Sequence, residues 1–394
     1  MFRRKKDLYQ KIIIFKEPAI EKRDLHSGYK TLLFAHGAFQ VEPLPLINGA
    51  LCFFEQPVDF DQLARLEEVL SVEDNLKVKL YPVFEKSKSL VFDQHQRQIV
   101  PWGVQRIGAP EAWPVSRGEG VKVGILDTGV DFSHPDLKVN FKGGINLLSP
   151  QSPPLDDNGH GTHVAGIIAA VDNGFGILGA SPGVHLFAVK ALNAAGEGYF
   201  SDVIRGLDWC MQNGPEIINL SFGSDQPSQA LHAAVKKVVA AGKIIVAAAG
   251  NDGTYQSVDY PAAYPEVVAV GATDEFDQIP PFTSRGPELN LVAPGSNILS
   301  TTLKGFFKRQ SGTSMAAPFV AGALAILKRL NGQAGFEEIL KILQATAEKL
   351  PGYGRDEQGA GLVRVDRAIS MLSRSERNQA PDRSRQSSFR RQRR

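Results

Sequence analysis

A chain of 394 residues is longer than one hydrophobic core usually serves, so one large domain and something smaller are expected. With 43% hydrophobic residues, 38 glycines and a net charge of +2, the composition is that of an ordinary globular protein; it has neither the basic excess of a nucleic-acid binder nor an acidic tract. Two cysteines, Cys52 and Cys210, exclude a disulfide framework and read as free thiols, and no run of about 18 apolar residues offers a membrane span.

The N-terminus, MFRRKKDLYQKIIIFKEPAI, opens with positive charge, but its apolar run IIIF gives way at once to Lys16 and Glu17, far short of a signal-peptide core. That favours a cytoplasmic location, with an extracellular one as the alternative. Residues 11–84 alternate as a small two-layer sandwich: KIIIF as strand, a helical stretch to about Ala38, ALCFFE as strand, FDQLARLEEVLS as helix and NLKVKLYPVF as strand. Residues 1–84 are thus expected to form a small α+β, ferredoxin-like unit. The polar stretch EKSKSLVFDQHQR, residues 85–97, reads as an exposed linker.

From Val121 the pattern changes to short apolar strands, VKVGIL, HLFAVKAL, EIINLSF, KIIVAAA and EVVAVGA, alternating with helical segments. These are GTHVAGIIAAV, FSDVIRGLDWCMQN, PSQALHAAVKKVVAA, TSMAAPFVAGALAILKRL and FEEILKILQATAEKL. Residues 98–372 are therefore expected to form an α/β domain, a doubly wound, mostly parallel sheet covered by helices on both faces. The last stretch, residues 373–394, has almost no apolar residues and many arginines, and reads as a disordered, solvated tail.

In open α/β sheets sites form at the carboxyl ends of the strands, and three segments fall there. VKVGIL ends at Asp127 in DTG; LDDNGHGTHVAGIIAA, residues 155–170, places His160 at the mouth of a helix; SGTSMAAP places Ser314 at the start of another. A serine hydroxyl near its free pKa is a poor nucleophile, and acyl transfer needs an imidazole to take its proton and a carboxylate to fix the imidazole tautomer. The first N–H groups of the Ser314 helix point toward any nearby oxyanion, Pro318 suits a helix start, and Asn251 in AAAGNDG offers a side-chain amide from the other side. Zinc fits poorly: His160 and His163 are three apart with Gly161 and Thr162 between, not four apart around a glutamate. His163 reads as a packed helix residue.

DTGVDFSHPDL, HGTHVAG, INLSFG, AAAGN and GTSMAAPFVAG, in this order, resemble the subtilisin family of serine proteases over roughly residues 98–370. The resemblance implies Asp127 as orienter, His160 as general base, Ser314 as nucleophile and Asn251 as oxyanion donor, subtilisin being the reference case for that chain order and that asparagine. It also implies that a substrate pairs, extended, between Ser221, Phe222, Gly223 and Gly196, Glu197, Gly198. Aligning YPAAYPEVVAVGA with the family puts Asp259 at the base of the primary specificity pocket, where a small neutral residue is usual, with Asp252 near its rim. Two carboxylates there favour lysine or arginine before the cut bond.

QIVPWGV resembles the start of mature family members, and the residue before it is Arg97, so self-processing between Arg97 and Gln98 is expected. The N-terminal unit would then be the family's pro-domain, folding chaperone and inhibitor of its own enzyme. A structural calcium ion is implied as well, held by the side chains of Gln98, Asp136 and Asn173 and the carbonyls of Val171, Phe175 and Ile177; no organic cofactor is. The expected function is a monomeric serine endopeptidase made as an inhibited precursor and acting on proteins and peptides, with no nucleic-acid or membrane partner. The alternative is a catalytically silent peptide-binding protein held shut by its N-terminal unit.

Overall fold

The computed structural model describes residues 8–16, 25–82, 84–85, 89–92, 97–332 and 335–379. The N-terminal unit runs β1 (Tyr9–Phe15), α1 (Leu25–Ala35), β2 (Gln40–Leu44), β3 (Gly49–Phe54), α2 (Phe60–Ala64) and β4 (Val69–Asp74). Its sheet has the order β2-β3-β1-β4, with β1 antiparallel to both neighbours. The unbroken run IIIF follows from that central place. Ile13 and Phe15 pack with Leu33, Phe54 and Leu63 on one face, while Ile12 and Ile14 on the other join a core shared with the main domain.

Three details depart from the sequence expectation. Only Phe60–Ala64 of FDQLARLEEVLS is helical, started by the Asp59 carboxylate accepting from Gln62 N–H at 2.8 Å, and the chain is already strand at Val69. NLKVKLYPVF is not one strand: β5 (Lys77–Leu80) leaves the unit altogether and β6 (Phe84–Glu85) joins a third sheet. Strand β2 carries Pro43 and an incomplete alternation, as an edge strand can.

Short helices α3 (Trp102–Arg106) and α4 (Ala109–Ala112) lead into the main domain. Its elements are β7 (Lys122–Asp127), β8 (Phe141–Asn146), α5 (His160–Ala169), β9 (His185–Lys190), β10 (Glu197–Tyr199), α6 (Phe200–Asn213), β11 (Ile217–Leu220), β12 (Phe222–Gly223), α7 (Gln229–Ala240), β13 (Ile244–Ala248), β14 (Val268–Thr273) and β15 (Leu289–Pro294). After them come the hairpin β16 (Ile298–Thr301) and β17 (Phe307–Ser311), then α8 (Thr313–Leu330), α9 (Phe336–Thr346), α10 (Arg355–Gln358) and α11 (Val365–Gln379).

Seven strands form one sheet of order β15-β14-β13-β11-β7-β9-β8, parallel throughout. Alternate side chains feed two cores: Val123, Ile125, Ile244 and Val246 pack with α5 and α8, and Leu126, Ile218, Ile245 and Ala247 pack with α6 and α7. Helix α8 is apolar all round because it is buried all round, from Thr313 to Leu327. Strands β8 and β15 were not expected. They are the sheet's edges: FKGGIN carries two glycines and is mostly half-buried, and LNLVAP, although buried at every position but Asn290, is interrupted by that asparagine and ends in proline. Helix α11 carries residues 373–379 of the expected tail, stopping short of Pro381; the rest of the tail lies outside the described residues.

The two units meet through helix ends as well as through apolar surface. Glu73 accepts from Ser228 Oγ and from the N–H groups of Gln229 (2.9 Å) and Ala230 (3.2 Å), the open donors that start α7. Asn75 does the same for α6, accepting from Ser201 N–H at 3.1 Å while donating to Ser201 Oγ at 3.0 Å. Glu42 and Arg205 add an ion pair.

Candidate active site

Asp127 ends β7 and is fully buried. His160 Nδ1 lies 2.8 Å from its Oδ1 and 3.0 Å from its Oδ2, and Thr128 N–H donates to Oδ1 at 2.7 Å. An ionised carboxylate only accepts, so the pairing puts the imidazole proton on Nδ1 and leaves a lone pair on Nε2. Nε2 is buried and has no hydrogen-bond partner among the described residues. His163, one turn on, is also buried; burial lowers its pKa to about 3 and its Nε2 bonds the Lys308 carbonyl at 3.1 Å, as a packed neutral residue does.

His160 can approach Asp127 because its helix starts almost against the turn after β7: a Cβ on Gly161 would lie 2.1 Å from the Gly129 carbonyl oxygen. Asp156, which the motif reading passed over, locks that approach. Its Oδ1 accepts from Thr128 Oγ1 (2.8 Å) and from the N–H groups of Asn158 and Gly159 (both 2.9 Å), and its Oδ2 from Thr162 N–H (2.9 Å) and Oγ1 (2.6 Å). One buried carboxylate thus ties the loop carrying Asp127 to the first turn of the helix carrying His160. The signal was legible, since an acidic residue just ahead of a helix start is a capping pattern.

Ser314 is the second residue of α8. Its Oγ donates to the Ser221 carbonyl at 2.8 Å, and Ser221 Oγ donates back to the Ser314 carbonyl at 3.0 Å. Pro318 explains the second bond. It stands inside α8, beyond the first turn where it was expected, and its missing N–H frees the Ser314 carbonyl, which Ser221 satisfies. Asn251, past the end of β13, is aimed by Thr313: its Oδ1 accepts from Thr313 N–H (3.0 Å) and Thr313 Oγ1 (2.9 Å), so its amide N–H points into the cleft.

The cleft is filled by the protein's own chain. Strand β5 lies between β10 and β12, antiparallel to both, with Glu197 opposite Lys79, Gly198 opposite Val78, and Gly223 opposite Lys79. Leu80 N–H donates to the Gly196 carbonyl at 2.9 Å, and Val78 is fully buried. The next residue, Tyr81, turns its ring into a pocket, where its hydroxyl donates to the Ala248 carbonyl at 3.3 Å and fills the space a side chain on Gly223 would take. Asn251 Nδ2 donates to the Pro82 carbonyl at 3.0 Å. The structure thus brings Gly196, Glu197, Gly198, Ser221, Phe222 and Gly223 around one extended peptide.

Asp259 is buried in the pocket that Tyr81 occupies, and burial with the nearby Asp252 carboxylate pushes its pKa up to about 7. Asp252 itself is exposed. The residue in the pocket is a tyrosine, not the arginine before the expected processing bond. Arg97 is exposed, and the chain ahead of it runs along β17, with Phe84 opposite Ser311 and Leu90 bridged to Phe307.

The expected metal ligands also converge. Gln98 Nε2 donates to the carbonyls of Val171 (2.6 Å) and Ile177 (2.9 Å), and Gln98 Oε1 accepts from Gly174 N–H (3.1 Å). Asn173 Nδ2 donates to Asp136 Oδ1 at 3.1 Å, and Ile177 N–H donates to Asp136 Oδ2 at 2.9 Å. Burial pushes the pKa of Asp136 up to about 6. The Phe175 N–H donates to Asn173 Oδ1 at 2.9 Å, holding Phe175 in the same loop.

A sequence model of the subtilase family matches residues 118–364. The chain is 40% identical over 311 residues to an alkaline protease of Alkalihalobacillus alcalophilus, covering 79% of this chain and 80% of that one. It is 43% identical over 272 residues to subtilisin BL of Lederbergia lenta, covering 69% of this chain and 99% of that one.

Proposed function

The chain belongs to the subtilase family and is a subtilisin-type serine endopeptidase, and we propose that Asp127, His160, Ser314 and Asn251 carry out the hydrolysis in a precursor that processes itself. His160 Nε2 takes the Ser314 proton as Oγ attacks the scissile carbonyl; Asp127 holds the tautomer and balances the imidazolium; Asn251 and the Ser314 N–H receive the oxyanion. His160 then returns the proton to the leaving amine, and water repeats the sequence on the acyl-serine. The observation that carries this is the buried imidazole whose Nδ1 is fixed by Asp127 while its Nε2 is left without a partner beside the cleft.

Latency is supported by three contacts. Lys77–Leu80 takes the substrate's place between β10 and β12. The Asn251 amide is spent on the Pro82 carbonyl, and the Ser314 hydroxyl on the Ser221 carbonyl rather than on His160. The N-terminal unit is therefore read as the enzyme's own inhibitor. Cutting between Arg97 and Gln98 requires Phe84, Glu85 and Leu90 to leave β17 or a second molecule to make the cut. Asp259 and Asp252 are read as selecting lysine or arginine before the scissile bond.

A calcium ion suits the loop at Val171–Ile177, where the donors are oxygen-bearing and one carboxylate is buried without a counter-charge. Turning the Gln98 amide over would present Oε1 to it beside Asp136, Asn173 and the carbonyls of Val171, Phe175 and Ile177. Bound there, the ion neutralises Asp136 and pins the segment after Arg97 to the main domain.

The test is labelling of Ser314 by a fluorophosphonate probe. The processed chain should label and the intact chain should label slowly, and Ser314→Ala should lower turnover by about a million-fold. A processed chain that binds peptides but neither labels nor turns over would establish the silent peptide-binding alternative.

A further inference from the structure

The pocket holding Tyr81 has an unusual floor for a site meant to take a cation. Asp259 sits beside Gly250, where a Cβ would lie 3.1 Å from Asp259 Oδ2, and a Cβ on Gly223 would lie 2.0 Å from the Tyr81 hydroxyl. Among the described residues no ion pair reaches Asp259. The charged and titratable groups around it are Asp252, Asp225, Lys79 on β5, and the Tyr81 phenol. The two carboxylates disfavour a further negative charge, and Lys79 and Tyr81 belong to the segment that occupies the cleft. A carboxylate in such a place is costly to keep ionised beneath a neutral aromatic ring, and easy to keep ionised beneath an ammonium or guanidinium.

We propose that Asp259 makes the primary pocket protonation-gated: with Asp259 neutral the enzyme accepts tyrosine and like aromatic residues before the scissile bond, and with Asp259 ionised it selects lysine or arginine. The inference deepens, and rests on, the reading that Asp259 floors this pocket. Tyr81 is the occupant of the neutral state, an uncharged ring whose hydroxyl donates to the Ala248 carbonyl. A basic occupant pairs with the ionised acid and lowers its pKa; an aromatic one raises it by excluding water. By linkage, preference for the basic residue grows as pH rises towards the pKa that Asp259 has under the ring, about 7, and levels off above it.

The experiment is internal competition between two peptides identical except for Tyr or Lys before the cut bond, supplied together to one preparation of the full chain. Their consumption ratio is the ratio of kcat/KM, so the fraction of active enzyme and the titration of His160 both cancel. Between about pH 5.5 and about pH 8.5 the Lys/Tyr ratio should rise about tenfold or more, a tenfold change corresponding to one unit of pKa difference between the two complexes. Asp259→Asn should abolish the rise and hold the ratio at its Tyr-favouring limit. Asp252→Asn, which removes a like charge, should move the midpoint to lower pH. A ratio that favours Lys and does not change with pH overturns the gate and leaves the basic preference standing. A ratio that is flat, shows no basic preference and ignores Asp259→Asn overturns the pocket assignment too.

Discussion

Thr313→Val tests how the oxyanion donor is aimed. Asn251 Oδ1 is held by two donors of one residue, the Thr313 N–H at 3.0 Å and the Thr313 Oγ1 at 2.9 Å, and this fixes where Nδ2 points. Valine keeps the shape and the backbone N–H but removes the hydroxyl. One neutral hydrogen bond is worth about 0.5–1.5 kcal/mol, so kcat/KM should fall about two- to twelvefold, chiefly in kcat. Asn251→Ala removes the donor itself and should cost roughly a hundred- to a thousand-fold. Because Thr313 acts only through Asn251, Thr313→Val should cost nothing further in the Asn251→Ala background, and Thr313→Ser should restore most of the loss. Steady-state kinetics on the four corners of that cycle, normalised by active-site titration, give the coupling. Losses that simply add, or an effect confined to KM, would refute the aiming role and leave Thr313 a structural residue, since it also takes the Gly250 N–H at 3.2 Å.

Asp127→Asn should leave the fold intact and lower kcat by about ten-thousand-fold, by allowing the wrong imidazole tautomer; a loss under a hundred-fold would speak against the orienting role. Glu73→Ala removes the acceptor at the start of α7, weakening the docking of the N-terminal unit by about 1–2 kcal/mol, and the intact chain should label with a fluorophosphonate several-fold faster than wild type. His163 has its pKa lowered from 6.5 to about 3 by burial, so the unfolded chain binds its proton first. Stability should then be complete above pH 6.5 and fall as pH drops towards 3, by about 1.4 kcal/mol per unit from this group. Urea unfolding of the Ser314→Ala chain should show that slope, and His163→Gln should flatten it. Calcium should raise the melting temperature of the Ser314→Ala chain and Asp136→Asn should remove most of that rise, whereas a shift that survives Asp136→Asn would place the ion elsewhere.

Where a residue's chemistry is carried by its immediate neighbours, it was legible in the sequence. Asp127 at a strand end, His160 after NG and Ser314 inside GTSMAAP sit in short segments whose local structure follows from their own residues, and the parallel sheet follows from strands apolar on both faces. What escaped was decided at long range. Strand β8 is a half-buried edge that needs little apolar sequence, and the short LNLVAP of β15, broken by Asn290, has no alternation to mark it as a strand. Strand β5 was read as the end of a pro-domain strand because KVKL alternates as any strand does; nothing in four residues says which sheet they will join. Nor does the sequence show that Tyr81 would fill the pocket and Pro82 would meet Asn251, since both depend on the length of chain between Asn75, fixed at the start of α6, and Phe84, fixed on β17.

That length also bears on how four residues hold the cleft in the proposed latent state. Strand β5 makes few pairings, and as a free peptide it would have to offset the loss of translational and conformational freedom on binding. In the intact chain Glu73 and Asn75 anchor one end and the pairing of β6 with β17 anchors the other, so the segment re-enters the cleft at an effective concentration set by short tethers. A cut anywhere between Glu85 and Gln98 breaks the covalent tie to the main domain and leaves β5 held by the docked N-terminal unit and the short pairing of β6 with β17. Release is then governed by how firmly that unit sits on α6 and α7. Inhibition by the same N-terminal unit should therefore weaken on cleavage without any change in β5, and the onset of activity should follow undocking of the unit more closely than the cut itself.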